Sequence, residues 1–420
     1  MKSPLFLILL VVSNLYFAGC KKDNNPNSST NDVKSKLKSA QIVNASNKYC
    51  FELLKSIQNK APDKNLFISP FSTMEALSMA YNGAAGTTKD EMAGVLGFSQ
   101  YSDNEINEYN QSLTSALTQA DEKVKFEVAN SIWYKQGFPV LQSFLDVNSE
   151  YYDAEVKALD FSSPDAVTTI NNWADAKTHD KIQTIIDAIP PEAVMYLINA
   201  IYFKGTWQYE FDKTKTTTTD FFLEDGSTVQ QNQMSMETSL NYYSNEDFEV
   251  VELPYGSGAF NFMIVLPLPG KNINDITTGL TDIKWADIIS SMSKVKVVVK
   301  MPRIQFELNS LLNDPLINLG MKSAFNADIA DFSRIDGAKD LFISKVIHKT
   351  YIDLDEEGTE AAAVTAIEIL TTSEGPDSGD HTIFFVADRP FIYAITEKST
   401  GAVLFIGKML DPTVSKVDIQ

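Results

Sequence analysis

Residues 353–373 read DLDEEGTEAAAVTAIEILTTS, a segment in which the local propensities for helix and strand disagree. Ala, Glu and Leu favour helix, whereas Val, Thr and Ile favour strand. With a period of two, one side carries Thr359, Ala361, Ala363, Thr365, Ile367 and Ile369, and the other carries Glu360, Ala362, Val364, Ala366 and Glu368. Small side chains along the first half would let such a strand enter between two neighbouring strands. An Ala-rich surface helix is the alternative, and this segment alone does not decide between them.

Helical and strand patterns both occur around this segment. Apolar spacing predicts helices over Val33–Lys60, Ser69–Ala85 and Thr88–Leu96, the last opening with a capping-box pattern between Thr88 and Glu91. A strand begins near Lys123. Further strands are predicted over Val194–Phe203, Glu249–Leu253, Ala259–Pro267, Lys294–Met301, Ile383–Val386 and Ala402–Ile406. The elements alternate without a regular βαβ period, which indicates an α+β chain with large antiparallel or mixed sheets.

Several blocks in this order resemble the serpin family. Residues 356–365, EEGTEAAAVT, look like the hinge of inhibitory serpins, and residues 385–391, FVADRPF, look like the family signature beyond the reactive-centre loop. Residues 65–72 (NLFISPFS), 199–207 (NAIYFKGTW), 348–349 (HK) and 405–408 (FIGK) match further family blocks. The resemblance extends from about Val33 to Pro412, so it assigns residues 33–420 to one serpin domain.

The resemblance implies a fold with three β-sheets, about nine helices and an exposed reactive-centre loop over about residues 356–382. It also implies positions for six further residues near the sheet into which the loop inserts. Ser69, Ser72, Asn199 and His348 would form a hydrogen-bonded cluster under the middle of the sheet, and Trp207 would mark its top. Arg303 would pair with Glu356 there.

The mechanism that the resemblance implies is suicide inhibition of proteinases. A proteinase cuts the loop, and the cut loop enters the sheet as a new strand while the acyl-enzyme persists. The hinge comprises Glu356, Glu357, Gly358, Thr359, Glu360, Ala361, Ala362, Ala363, Val364 and Thr365. A bulky or charged residue at Thr359, Ala361 or Ala363 should therefore convert the inhibitor into a plain substrate.

The position of the cut follows from two counts that disagree. Counting forward from the hinge by the family's usual spacing gives Thr372-Ser373, flanked by Leu370 and Thr371, and counting back from Pro390 gives a bond near Gly379. The forward count is preferred, because the inserted segment must fit the sheet whereas a linker about seven residues longer than usual costs little closure entropy. A Thr on the acyl side suits the small pocket of elastase-like serine proteinases. Papain-like cysteine proteinases are the second class of target.

Two other functions remain open at this point. A non-inhibitory serpin that acts as a binding or structural protein is the first, although Thr359, Ala361, Ala362 and Ala363 argue for insertion. A hydrolase is the second. The three histidines, His179, His348 and His381, lie outside any HExxH motif, and the chain has no GxSxG or CxxC motif. We therefore expect an inhibitor rather than an enzyme, with no cofactor and no metal site.

Composition restricts the partners. The 420 residues include 44% hydrophobic and 21% charged residues, enough for a large core, and 55 acidic against 35 basic side chains give a net charge of -20. A cationic surface is what phosphate binding requires, so a nucleic-acid partner is not expected. Of the two cysteines, only Cys50 lies in the predicted domain, where a buried thiol in a helix is expected. The partners expected are target proteinases, bound by a monomer.

The N-terminus reads as an export signal. A basic residue, Lys2, precedes an apolar run from Leu5 to Val12 that is too short to span a bilayer, and residues 17–20 (FAGC) resemble a bacterial lipobox. This predicts a lipoprotein signal peptide over residues 1–19 and a lipidated Cys20 at the head of a flexible tether, residues 20–32. A chain anchored in the bacterial cell envelope, at the outer membrane or cell surface, is the localisation expected.

Overall fold

A computed structural model describes residues 32–359 and 382–420. Helices occupy the first third of the chain and return between strands later. The α-helices are α1 Val33–Lys36, α2 Ile42–Lys60, α3 Pro70–Gly83, α4 Gly86–Leu96, α5 Asp103–Leu117, α6 Gln142–Tyr152, α7 Pro164–Lys177, α8 Ile273–Gly279, α9 Asp282–Ser291, α10 Asn313–Leu319 and α11 Ser333–Asp336. Two of these, α1 and α11, have four residues each, so the nine expected helices correspond to those of seven residues or more.

The strands form two hydrogen-bonded sheets in the described part of the chain. They are β1 Leu66–Ile68, β2 Val124–Lys135, β3 Glu155–Leu159, β4 Met195–Thr206, β5 Thr217–Phe222, β6 Thr228–Ser244, β7 Phe248–Tyr255, β8 Phe260–Pro267, β9 Ser293–Pro302, β10 Ile304–Leu311, β11 Ile347–Leu354, β12 Gly358–Thr359, β13 Ile383–Val386, β14 Phe391–Glu397, β15 Val403–Met409 and β16 Lys416–Ile419. One sheet has seven strands in the order β16-β10-β11-β12-β4-β2-β3. The other has nine, with β1-β15-β14-β8-β7-β6-β9-β13 as its path and β5 beside β6.

The mixed α+β architecture agrees with the sequence prediction, but hydrogen bonding divides the strands differently from the three sheets expected. The 17-residue strand β6 pairs with β9 along residues 233–242 and with β7 along residues 241–244. One continuous strand thereby joins what would otherwise be two smaller sheets, and the nine-stranded sheet results.

The predicted helices are present with shifted starts. The predicted helix over Val33–Lys60 is interrupted after α1, where Ser39 has a φ of +50°, and α2 then runs to Lys60 as expected. The predicted capping box at Thr88 is wrong. Helix α4 begins at Gly86, and Thr88 is buried inside it with its hydroxyl accepting a hydrogen bond from the Asp331 N–H at 2.9 Å. A tertiary contact therefore takes the hydroxyl that the local pattern assigned to a cap.

The main core lies between the nine-stranded sheet and helices α2 and α3. Helix α2 buries Cys50 together with Phe51, and the buried state raises the pKa of the Cys50 thiol well above its ordinary value. Ser69 begins α3 as its N-cap, since its hydroxyl accepts from the Ser72 N–H and Pro70 occupies the first helical position. Helix α3 packs against β4 on one face of the seven-stranded sheet.

A second, smaller core lies on the opposite face of that sheet. Trp133 of β2 and Ile198 of β4 pack there with Ile170 and Trp173 of α7. Helix α7 therefore covers β2 and β4 on this face of the seven-stranded sheet.

Several predicted features lie outside the described residues. They are the signal peptide and Cys20, the tether as far as residue 31, the hinge from Glu360 to Thr365, and the reactive bond Thr372-Ser373 with Leu370 and Thr371. Within the part described, no helix is long and apolar enough to cross a membrane.

Candidate functional site

The seven-stranded sheet contains a slot between β4 and β11. Only the two residues of β12 lie between these strands in the described chain, with Gly358 opposite Thr206, and Thr359 opposite Gly205 on one side and Leu354 on the other. Beyond this pairing, residues of both strands line a pocket that also reaches Thr359, including Ile201, Phe203, Thr350 and Ile352. In the described part of the chain, the strand between β4 and β11 therefore consists of Gly358 and Thr359, and the residues from 360 to 381 lie outside that part.

Backbone hydrogen bonds hold the start of this strand at the top of the slot. The Trp207 N–H donates to the Glu357 carbonyl at 2.9 Å, and the Phe211 N–H donates to the Glu356 carbonyl at 3.0 Å. The indole Nε1–H of Trp207 donates to the Asp355 carbonyl at 2.9 Å. Trp207 thus lies where the resemblance expects it and contacts the hinge through its backbone and its side chain.

Gly358 is required by the close approach of the strands. Its φ is +146°, and a Cβ added there would lie 2.1 Å from the Gly205 carbonyl oxygen. Residues with side chains rarely adopt this conformation, and none has room for its Cβ against that carbonyl. The chain can therefore pass between β4 and β11 at this point only as glycine.

An ion pair holds Glu356, two residues before β12. Arg303 donates to both carboxylate oxygens of Glu356, with three hydrogen bonds of 2.7 to 3.0 Å, and the Thr216 hydroxyl donates to the same carboxylate. Burial of this carboxylate opposes its charge, but these hydrogen bonds lower its pKa overall. Lys213 forms a further ion pair with the neighbouring Glu357.

Thr359 shows which face of the hinge points into the molecule. It is 3% exposed, and its hydroxyl lies 2.6 Å from the Tyr255 hydroxyl. The Tyr255 ring stacks on the Trp207 indole with centroids 4.4 Å apart. Thr359 therefore occupies a small polar site beneath the sheet that a larger or charged side chain would not fit.

His348 lies under the middle of the sheet as a hydrogen-bond acceptor. The Ser69 N–H donates to His348 Nε2 at 3.0 Å, while the Ser69 hydroxyl donates to the Leu404 carbonyl at 2.8 Å and accepts from the Ser72 N–H at 3.1 Å. Burial of the ring lowers the pKa of His348 to about 4. The structure brings these three predicted residues together around a neutral imidazole, which links β11 to the start of α3.

Asn199, the fourth predicted member of this cluster, lies across the slot on β4 and binds elsewhere. Its amide donates to Asn130 Oδ1 at 2.8 Å, and the Asn130 amide is 3.4 Å from Glu75 Oε2. Burial raises the pKa of Glu75 to about 8. Asn199 Oδ1 is buried and has no hydrogen-bond partner among the described residues. A buried carbonyl oxygen is more stable when it accepts a hydrogen bond, so a donor from outside the described residues would be favourable here.

The segment after α7 crosses the front of the slot. His179 hydrogen-bonds to Glu127 of β2 at 2.6 Å, while the Lys349 ammonium of β11 donates to the Thr184 carbonyl at 2.7 Å. The segment therefore contacts strands on both sides of the opening.

The geometry around His348 supports a structural role rather than catalysis. Its Nε2 is occupied by the Ser69 backbone, and the Ser69 hydroxyl donates to a main-chain carbonyl rather than to the imidazole. A nucleophile activated by histidine requires its hydroxyl to hydrogen-bond to the ring. This constellation thus lacks the contact on which a serine hydrolase depends.

Sequence reasoning missed four residues that complete the site. Tyr255 supports Thr359, Thr216 adds a donor to Glu356, and Asn130 and Glu75 extend the cluster from Asn199. These residues are distant in sequence from the residues they contact. The predicted strand over Glu249–Leu253 ends two residues before Tyr255, but nothing in the sequence indicated that Tyr255 contacts Thr359.

Comparison with known proteins gives the family. The family model described as serpin (serine protease inhibitor) matches residues 44–412. An uncharacterised serpin-like protein of Thermococcus kodakarensis is 31% identical over 97% of this chain and 98% of its own length. The human leukocyte elastase inhibitor is 31% identical over 89% of this chain and all of its own.

Among solved structures, the thermophilic serpin Tengpin in its native state has a TM-score of 0.79 at 32% identity. The match covers 88% of this chain and 94% of Tengpin. Serpins are generally proteinase inhibitors rather than enzymes, and they bind target proteinases. With the slot, its hinge strand and these similarities together, the chain belongs to the serpin family.

Proposed function

We propose that the chain is a suicide inhibitor of serine proteinases that traps them by inserting its cut loop into the slot between β4 and β11. The single observation that carries this proposal is the position of Gly358 and Thr359. They pair with both β4 and β11 as a middle strand, and further residues of these two strands line a pocket beside them.

The length of the slot supports the proposed cleavage point. If the register of β12 continues, Ile369 would lie opposite Met195, the first residue of β4, and Ala366 opposite Ile347, the first residue of β11. The segment from Gly358 to Ile369 would then run beside all 12 residues of β4. Thr372 would follow three residues beyond, clear of the slot, which favours Thr372-Ser373 over a bond near Gly379.

The inward face of the slot supports insertion of small side chains. Thr359 points inward, so alternation would turn Ala361, Ala363 and Thr365 to the same side. Thr365 would then lie between Asn199 and His348, because the register pairs it with both. A threonine hydroxyl there can donate to Asn199 Oδ1, for which the described residues supply no donor.

The covalent step needs only the proteinase's own chemistry. Its serine Oγ attacks the Thr372 carbonyl carbon, the peptide bond to Ser373 breaks, and the Ser373 nitrogen takes the proton and leaves as an amine. An ester then joins the proteinase to Thr372. Insertion of the preceding residues must outrun attack of water on that ester, since hydrolysis would release an active proteinase and a cut chain.

Elastase-like enzymes are the proposed targets. A Thr at the acyl side fits a small apolar pocket better than one built for a cation or an aromatic ring. The similarity to leukocyte elastase inhibitors supports this choice. Papain-like cysteine proteinases are the second proposed class, because they also form an acyl-enzyme.

The test is to mix the chain with a pancreatic-type elastase at equimolar ratio and analyse the products on a denaturing gel. We expect a covalent band at the summed masses and a released fragment beginning at Ser373. Thr359→Arg should give cut chain and active proteinase, whereas Glu360→Arg, on the outward side of the predicted alternation, should still give the complex. Cut chain alone with elastase, subtilisin, trypsin and papain would overturn inhibition and favour a non-inhibitory serpin.

We also propose that the protein acts as a monomer anchored in a bacterial cell envelope through a lipidated Cys20. The proposal is supported by the apolar run and the FAGC pattern at residues 17–20. Cells fed a labelled fatty acid should label the protein, and Cys20→Ala should abolish the label and release the protein from membranes. An unlabelled parent chain would contradict the anchor, and light scattering gives the oligomeric state.

A further inference from the structure

The C-terminal strand β16 forms one edge of the sheet that contains the slot. The serpin family match ends at residue 412, and β16 begins at Lys416. It pairs in parallel with β10, the strand next to β11, and forms the outermost strand of the seven. The last residues of the chain thus occupy an edge that would otherwise present β10 to solvent.

Both faces of β16 carry side chains that are complementary to those of β10. Val417 lies beside Leu308 and Ile419 beside Ser310, and both β16 side chains are buried at 8% and 6% exposure. On the outward face, the Lys416 ammonium is 2.8 Å from a Glu307 carboxylate oxygen, and the Asn309 amide donates to Asp418 at 3.0 Å. The Glu307 N–H donates to the Ser415 carbonyl at 2.8 Å. Apolar contacts, charge and backbone pairing all specify one register.

An unpaired β10 edge would be a hazard for this sheet. Exposed backbone N–H and C=O groups on an edge pair readily with an extended segment of another chain. Strands β10 and β11 lie on the far side of β12 from β4, and β16 pairs with β10. A cap fixed to β10 can therefore protect the edge whether the slot is open or filled.

We propose that residues 416–419 are an intramolecular edge cap that keeps the protein monomeric, and that removal of the cap lets the β10 edge bind an extended segment of a second copy. The proposal concerns self-association in the absence of any proteinase. It therefore holds or fails independently of the inhibitory function.

The test compares two pairs of charges introduced into the full chain. Val417→Asp with Ile419→Asp places both carboxylates on the buried face of β16, whereas Ser415→Asp with Gln420→Asp adds the same charge at exposed positions. After mild warming, light scattering should show at least a several-fold larger oligomer fraction for the buried pair than for the exposed pair. Adding a peptide of residues 413–420 (TVSKVDIQ) should restore the monomer.

A deletion of residues 413–420 provides a second variant that introduces no buried charge. It should fold, form oligomers on warming, and be returned to monomer by the same peptide. The proposal is overturned if the deletion chain stays as monomeric as the parent. It is equally overturned if its oligomers respond only to a peptide of residues 359–369, since that result would assign association to the slot.

Discussion

The two sheets of this serpin differ in how closely their strands are packed. In the nine-stranded sheet, all residues of β8, β14 and β15 are buried, and Phe67 stacks between Tyr393 and Phe405 at 5.6 and 5.3 Å. In the seven-stranded sheet, β4 and β11 are separated by a cleft and joined only through Gly358 and Thr359 in the described chain. One sheet is closely packed and stabilises the fold, while in the other only two described residues lie between β4 and β11.

This difference indicates that the nine-stranded sheet mainly determines stability and that the slot of the seven-stranded sheet mainly determines function. A close-packed sheet loses stability when any side chain shrinks, whereas an open slot loses function when a side chain grows. The mutations below distinguish the two regions by whether they alter the free energy of unfolding or the fate of a bound proteinase.

The largest effect is expected at the hinge. Thr359→Arg would place a guanidinium at the buried site beside Tyr255, which costs several kcal/mol, and each 1.4 kcal/mol changes a rate about tenfold. The number of inhibitor molecules consumed per proteinase trapped should rise at least about tenfold. Titration of residual proteinase activity measures this number, with Glu360→Arg as the control. An unchanged number would show that insertion does not pass through this site.

A mutation in the nine-stranded sheet should have the converse effect. Ile264 of β8 is fully buried, and Ile264→Ala should lower the free energy of unfolding by roughly 2–5 kcal/mol. Denaturant unfolding gives this value. Because Ile264 lies away from the slot, the folded variant should trap proteinase with the stoichiometry of the parent. A changed stoichiometry would mean that the two sheets are not separable.

His348 predicts a pH dependence. Its pKa is about 4 when folded and near 6.5 when unfolded, so its contribution is complete above pH 6.5 and is lost as the pH falls toward 4. The loss is at most about 3 kcal/mol. Glu75, with a raised pKa of about 8, acts in the opposite direction, since its protonated folded form gains stability as the pH falls from 8.

The difference between the parent and His348→Gln isolates the imidazole from Glu75 and the other carboxylates. The free energies of unfolding of the two proteins, measured at several pH values between 4 and 8, should diverge below pH 6.5. Parallel curves would show that His348 is protonated in the folded state, contrary to its buried acceptor role.

The smallest effect tests the cluster across the slot. Thr365→Val keeps the shape of the side chain but removes the hydroxyl proposed to donate to Asn199. The cut form should be less stable by about 1 kcal/mol, the net value of one hydrogen bond, with the intact form unchanged. Asn199→Ala should abolish this difference in a double-mutant cycle. A loss of stability in the intact form would mean that the Thr365 hydroxyl has a hydrogen-bond partner before the loop is cut.

The sequence predicted elements well where patterning was strong. Strand β13 coincides with its predicted bounds, Ile383–Val386, and the ion pair between Arg303 and Glu356 is present. The predicted strand over Val194–Phe203 instead extends to Thr206, because pairing with β12 and β2 carries it through Lys204 and Gly205. Tertiary pairing thus overrides a local turn signal.

Contacts between distant residues were harder to predict. Asn199 hydrogen-bonds to Asn130, 69 positions earlier, rather than to the His348 cluster. The slot separates Asn199 from His348, and no local pattern in the sequence indicates how far two strands stand apart. The C-terminal strand was missed because its four residues, KVDI, alternate charged with apolar side chains and lack the continuous apolar run that marks β13.

The most direct test of the slot is the thermal unfolding of the chain before and after its loop is cut. The chain would be nicked with a small amount of elastase, and mass spectrometry would place the cut at Thr372-Ser373. We predict that the two fragments stay together and unfold at a markedly higher temperature than the intact chain, because the cut loop completes the sheet. An unchanged or lower unfolding temperature would contradict the account, since the slot would then have remained empty.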